Sequence, residues 1–441
     1  MKINKDKKMN CPYDNCQNND INSRQQYCQS CYQPIFFCKQ CNQPNRNYAV
    51  YCTNCGKNIP PNKYDCLSFK GGLQRTNLNH FKIAKNFDEC SVTPQKTIQL
   101  DSACISILVY NYYLFLFSFK GEIRIINLLN NMQQVQRFNA DDKIYADPAI
   151  SEGTLYVGTR RSISAYSIPA ILSEENISTE PRWTIPLQNN EVPMKAMVPI
   201  GERLYFNIKI NSQYQKICAI NNIKTGNPDP IIQINAGPGV SSIAGNWSEK
   251  SKKIFFFSET KNNITLHTAD HRENKSPKIV SKTIHNAPSG CDFRIPIASI
   301  GRKVFVTFKH KETLYRIDSD TGDLDQKICE NVKEYALANA NSAFVVNSKG
   351  LYFHGTSRQQ IDLSKQRLSV KIAPYILNNC AVLAGLQNGT VQIYNYFNPT
   401  SYPKNWDISD RDNVAITSLV AYQNILIAGN QEGTVKLAYW D

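Results

Sequence analysis

Eight of the fifteen cysteines lie in the first 55 residues, as four close pairs: Cys11 and Cys16, Cys28 and Cys31, Cys38 and Cys41, Cys52 and Cys55. A thiolate is a soft donor, and two of them two to four residues apart can grip one metal ion from the same turn. Two such pairs complete a tetrahedral shell, so eight ligands point to two zinc ions. Eleven residues separate Cys16 from Cys28 and ten separate Cys41 from Cys52, but only six separate Cys31 from Cys38. Loop closure therefore favours sequential pairing. Cys11, Cys16, Cys28 and Cys31 take the first zinc; Cys38, Cys41, Cys52 and Cys55 take the second. Interleaved pairing is the alternative. Four thiolates leave no position for water or substrate, which makes these structural sites and not catalytic ones. Redox use of a Cys-x-x-Cys pair needs a βαβ setting, and no such pattern surrounds these pairs.

The turns after the pairs carry a second signal. Gly56 follows Cys55 and Asn42 follows Cys41. Residues able to take positive φ let backbone N–H groups turn toward sulfur. Gln17 and Tyr32, after Cys16 and Cys31, fit that role poorly. A segment of this length cannot bury enough surface to fold unaided, so metal must supply the missing folding energy. The pattern over residues 11–57 resembles a double zinc ribbon. The four-residue gap between Cys11 and Cys16 is wider than that family's usual two.

The formal charge is +14. Residues 1–66 hold nine Lys or Arg and four Asp or Glu, a surplus of five. Each zinc with four thiolates carries a net −2. Two sites bring the front segment to +1 and the chain to +10. The remaining positive charge is scattered, without a Lys/Arg run longer than two. Residues 1–10 form a basic tail, and Met9 offers an alternative start. No apolar h-region follows the N-terminus, and the strongest apolar stretch, 104–119, is too short for a spanning helix. In a reducing compartment, paired thiolates bind metal more readily than they form disulfides. The expectation is a cytoplasmic protein without a membrane partner.

The rest of the chain offers little chemistry. His267 and His271 would align only on a helix, and they sit in a strand-rich region. Asp320, Asp323 and Asp325 share one loop, where turn aspartates are ordinary. The four tryptophans, Trp183, Trp247, Trp406 and Trp440, fall in separate segments and read as packing groups. Cys66 reads as an ordinary buried thiol. No nucleophile elbow or phosphate-cradling glycine loop is present. No catalytic or cofactor-binding residue is assigned, and the chain is expected not to be an enzyme.

What must hold these residues is an all-β framework. Residues 58–94 lose the cysteine rhythm and read as a linker, with one ordered stretch near 67–73. From residue 95 the chain repeats short apolar strands between Gly- and Asn-containing turns, at even spacing. Units of 35–50 residues with four short strands mark a β-propeller over 95–441. Eight units begin near residues 102, 144, 190, 236, 291, 331, 367 and 412; a seven-bladed ring competes because the sixth unit is short. The last unit lacks a fourth strand. Residues 96–100 can supply it, closing the ring by pairing the two ends of the domain.

Thr225-Gly226, the 320–323 turn and the Leu-Tyr-Val-Gly-Thr segment at 155–159 resemble repeats of quinoprotein-like (PQQ-type) propellers. Residues 388–392 and 432–436 fit WD-repeat propellers equally well. The resemblance implies a fold and no activity. The reading that follows is a non-catalytic protein-interaction scaffold or adaptor in a multi-component assembly. Its partners are proteins, bound through the propeller face and the zinc module. A nucleic-acid-binding accessory protein is the first alternative, using the ribbon and the basic surface. A quinoprotein-like dehydrogenase is the second, and the export signal and calcium-loop acidic cluster that resemblance implies are both lacking.

Overall fold

The computed structural model describes residues 9–12, 17–22, 28, 35–46, 52–57, 78–79, 87–173, 177–210, 215–237, 239–248, 251–260, 263–270, 278–292, 295–339, 341–347, 350–354, 360–362, 372–377, 381–395, 402–409, 411 and 414–440. Eight antiparallel blades follow one another along the chain, the second and third joined edge to edge into one eight-stranded sheet. Blade 1 shows why. Cys104–Tyr110, Tyr113–Ser118 and Glu122–Asn127 are β-branched and aromatic runs buried on both faces. Sandwiched strands read as continuous apolar runs, not as alternation. The fourth strand, Gln133–Asn139, is polar and mostly exposed. Blade 1 thus runs from an apolar inner strand to a polar outer edge.

Blades 2 to 8 start at Ile144, Val192, Gly239, Ala298, Glu334, Tyr375 and Ile416. The short sixth unit has all four strands, ending in Gln360–Asp362, so the ring has eight blades. The inner strands of blades 2 and 3 also pair directly and in parallel, Lys195 with Ala146 and Ala196 with Asp147.

The ring closes between its two ends. Val92–Gln99 pairs antiparallel with Thr434–Trp440, from Val92 opposite Trp440 to Gln99 opposite Thr434. The strand starts inside the stretch read as linker. Pro94 hides it: proline breaks a strand pattern, and it is accommodated here on an outer edge beside a register shift at Ala438. Phe87 packs on Trp440, with ring centroids 5.7 Å apart, and Lys404 sits over both rings. A second piece of the linker, Leu78–Asn79, pairs in parallel with Tyr375–Leu377, the inner strand of blade 7. The stretch at 67–73 lies outside the described residues.

The seam is also closely packed. One continuous buried cluster joins blades 7, 8 and 1, from Leu383 through Leu426 to Leu116. A Cβ on Gly429 would lie 2.6 Å from Cys104 Sγ, so only glycine lets blade 1 come this close. Beside it, Glu122 is fully buried. Its carboxylate accepts from the Asp101 N–H at 2.7 Å and from Arg124 and Arg137 at 2.7 and 2.6 Å. Asp101 follows the closing strand, so this one side chain ties the closure to blade 1.

Blade 5 carries an ion network. Lys303 lies 2.9 Å from Asp318 and 2.7 Å from Asp325, which Arg316 also meets at 2.8 Å. The Lys303 hydrogen bonds hold both carboxyls below their usual range. A lowered folded-state value contributes stability above the ordinary carboxylate range, and that contribution is lost as pH falls through the lowered value. Acid below about pH 4 should therefore weaken the network. Lys303→Met should cost about 1 kcal/mol at pH 7. It should also flatten the acid slope of urea-denaturation stability; an unchanged slope would show that the network is not its source.

Candidate metal centre

Ile35–Phe37 and Pro44–Arg46 form a short antiparallel hairpin, and Cys38 and Cys41 lie in its turn. Cys52 and Cys55 lie in a second turn. The two turns share one hydrogen-bond pattern. Asn42 N–H donates to Cys38 O and Cys38 N–H to Gln43 O, at 2.8 and 3.0 Å. Gly56 N–H donates to Cys52 O and Cys52 N–H to Lys57 O, at 2.9 and 2.8 Å. Asn42 and Gly56 take φ of 55° and 66°, the left-handed conformation expected of them. Each turn thereby aims two sulfurs the same way.

The four sulfurs lie within 4.8 Å of one another. Cys38 and Cys55 Sγ are 3.6 Å apart, and Cys41 and Cys52 Sγ are 3.5 Å apart. A disulfide needs about 2.05 Å. Tetrahedral sulfurs about 2.3 Å from one ion are about 3.8 Å apart. The cluster therefore has the spacing of a metal shell. Its thiols divide their proton unequally. Burial opposes ionisation of Cys52, but N–H groups of Cys55 and Asn54 and the Asn45 amide bring it to about 6. The Cys41 N–H is the main cause lowering Cys38. The Lys57 N–H also favours the Cys55 thiolate, yet burial and three neighbouring sulfurs push that thiol up to about 12. Four thiolates this close repel unless a cation sits among them.

Asn45 completes the site. It is fully buried. Its amide N–H reaches Cys52 Sγ at 3.5 Å and Gln43 O at 2.8 Å, while its oxygen accepts from Thr53 N–H at 2.9 Å. One side chain thus joins the hairpin to the second turn and orients a ligand sulfur. Its role is absent from the cysteine pattern; the signal was an asparagine seven residues after Cys38.

The first cysteine set repeats part of this. Cys11 and Cys28 are described; Cys16 and Cys31 lie outside the described residues. Cys11 N–H donates to Asn18 O at 2.8 Å. That is seven residues on, against five at Cys38, which matches the two extra residues between Cys11 and Cys16. Asn18, seven residues after Cys11, donates to Cys28 Sγ at 3.3 Å, as Asn45 does to Cys52.

This front module is seated on the ring. Ile21, Cys28 and Ile35 belong to one continuous buried cluster with Leu108, Tyr110 and Phe115 of blade 1 and Leu155 and Ile168 of blade 2.

No family model matches the chain, and no curated protein matches it in sequence. Its fold does have solved counterparts. The computationally designed Ika8 protein matches with a TM-score of 0.60 at 14% identity, over 79% of this chain and 99% of that one. BamB from Moraxella catarrhalis matches at 0.56 and 14%, over 79% and 100%. A europium-containing methanol dehydrogenase matches at 0.60 and 8%, over 84% and 91%. The fold is an eight-bladed β-propeller. At these identities the likeness shows the fold alone.

The other sequence candidates do not converge. His267 lies on strand Ile264–Asp270, stacked on Phe256 and bonded to Ser258 and Ser281. His271 and Cys66 lie outside the described residues. Asp320 pairs with Arg302, and Asp325 with Lys303 and Arg316. Trp183, Trp406 and Trp440 are buried in blade packing; the Trp247 side chain is outside the described residues. Burial pushes the Cys104, Cys218 and Cys329 thiols up to about 12, which makes them inert. Among the described residues, only the Cys38 cluster gathers three or more metal-ligating groups. Among them, too, no helix is long and apolar enough to cross a membrane.

Proposed function

We propose that this chain is a non-catalytic protein-interaction scaffold of a reducing compartment, with two structural zinc ions holding its front module against the propeller. The carrying observation is the Cys38, Cys41, Cys52, Cys55 cluster. All four positions are thiols, the turns are satisfied by backbone hydrogen bonds, and no ligand position is left for substrate. The shared Asn-to-sulfur contact supports a second zinc held by Cys11, Cys16, Cys28 and Cys31. A rigid ring with polar outer edges offers broad loop-built faces for partners. The seated module extends that surface beside blades 1 and 2.

The testing experiment is affinity purification of the full chain from its host, with and without nuclease. Defined proteins retained after nuclease treatment are the expected result. Partners lost on nuclease treatment would overturn the scaffold in favour of nucleic-acid binding. A quinone absorbance in the purified chain would overturn it in favour of a dehydrogenase.

A further inference from the structure

Scattered exposed apolar side chains are normal on a protein surface, and several occur among the described residues. Phe119 and Tyr145 differ. Both are exposed, and their rings touch, with centroids 5.7 Å apart and planes tilted by 59°. They come from different blades, Phe119 from the loop between the second and third strands of blade 1, Tyr145 from the start of blade 2. Lys143 Nζ lies 5.6 Å from the Phe119 ring centroid. Lys120 and Arg160 flank the pair and are exposed.

The charges around the rings are unequal. The acids are engaged: Asp141 accepts from Ser162 at 2.6 Å, and Asp142 accepts from the Lys143 N–H at 2.7 Å and pairs with Arg161 at 3.1 Å. Among the described residues, no carboxylate pairs with Lys120, Lys143 or Arg160. The platform is also fixed. Phe119 N–H donates to Ala103 O, Ile144 N–H to Phe119 O and Arg160 N–H to Lys143 O, at 2.9, 3.1 and 2.9 Å. Gly121, at φ 108°, keeps the loop turned against Asp142 O, where a Cβ would lie 2.7 Å away. A preformed site loses little ordering entropy on binding.

We infer that this aromatic and basic patch across blades 1 and 2 docks an acidic segment of a partner protein. One apolar side chain of that segment seats on the Phe119–Tyr145 step, and flanking carboxylates meet Lys120, Lys143 and Arg160. The tilt decides against a nucleic-acid strand, because successive bases need stacking faces in series. Tilted rings inside a cationic rim suit one anchor with charged neighbours. The inference rests on the scaffold reading and names a chemistry and place for one partner.

The probe is a fluorescein-labelled twelve-residue peptide of Asp and Glu with one central Leu, read by anisotropy against the full chain. An oligouridylate of the same length is the comparison. Lys143→Glu with Arg160→Glu, and separately Phe119→Ser, alter exposed side chains and should leave the melting temperature unchanged. The peptide should bind, and each variant should weaken it about tenfold or more. No peptide binding up to about 1 mM, or binding indifferent to both variants, overturns the inference. Oligouridylate binding lost in the same variants overturns it too and assigns the patch to nucleic acid. If host partners still co-purify with the charge-reversed protein, only this site fails and the scaffold stands.

Discussion

Cys52→Ser is expected to remove one zinc per chain and to unfold the hairpin of residues 35–46 and the turn of residues 52–57 while leaving the ring folded. The effect is large because metal binding and folding are one event in a module this small. A structural zinc is worth about 10–16 kcal/mol of apparent binding energy. Cys52 holds more than a ligand position: its sulfur takes the Asn45 amide, and its backbone makes two bonds of the second turn. Metal analysis should read one zinc fewer, and amide exchange should quicken at Asn42 and Gly56 together. Cys28→Ser should also remove one zinc, with a further consequence. Cys28 is fully buried in the cluster shared with blades 1 and 2, so exchange there should quicken as well. If either variant lost both metals, or if Cys28→Ser disturbed the Cys38 site, sequential pairing would fail.

Glu122→Ala is expected to cost about 3 kcal/mol of ring stability, a large share for one surface-distant side chain. Removing the carboxylate leaves the Asp101 N–H without its acceptor and Arg124, largely buried, without its partner. Arg137 is more than half exposed and can turn to water, which keeps the loss from being larger. Glu122→Gln retains an acceptor for Asp101 and should lose less. Chemical denaturation of the two variants measures the difference. A loss under about 1 kcal/mol for alanine would mean that the apolar seam alone holds the closure.

Much of this fold was legible because propeller strands are short, local and punctuated. The eight expected starts fall within about eight residues of the observed ones, since Gly and Asn turns fix where each blade begins. The metal turns were legible for the same reason: Asn42 and Gly56 announce positive φ by residue type. What was hidden is non-local. Val92 and Pro94 do not look like strand until Trp440 and Ala438 pair with them. Leu78–Asn79 gains its pairing from blade 7, nearly 300 residues away. The seating of Ile21, Cys28 and Ile35 against blade 1 leaves no local pattern, which is why the module read as a separate, tethered piece. Asn18 and Asn45 were passed over because asparagine is common in this chain, and only their contacts with sulfur set them apart.

These elements share one logic. On the proposed reading zinc would fold a module too small to fold alone; its residues Ile21, Cys28 and Ile35 pack on blades 1 and 2, and the strand that follows closes the ring at blade 8. Under the proposed function, the cysteines so assigned would serve structure and leave the propeller surface for partners.

The most direct test is zinc X-ray absorption on the purified full chain, together with its metal-to-protein ratio. Two zinc ions per chain, each with four sulfurs at about 2.3 Å and no lighter ligand, is the predicted result. A nitrogen or oxygen ligand on either ion, or a ratio of one, would contradict two closed sites and reopen the question of chemistry at the front of the chain.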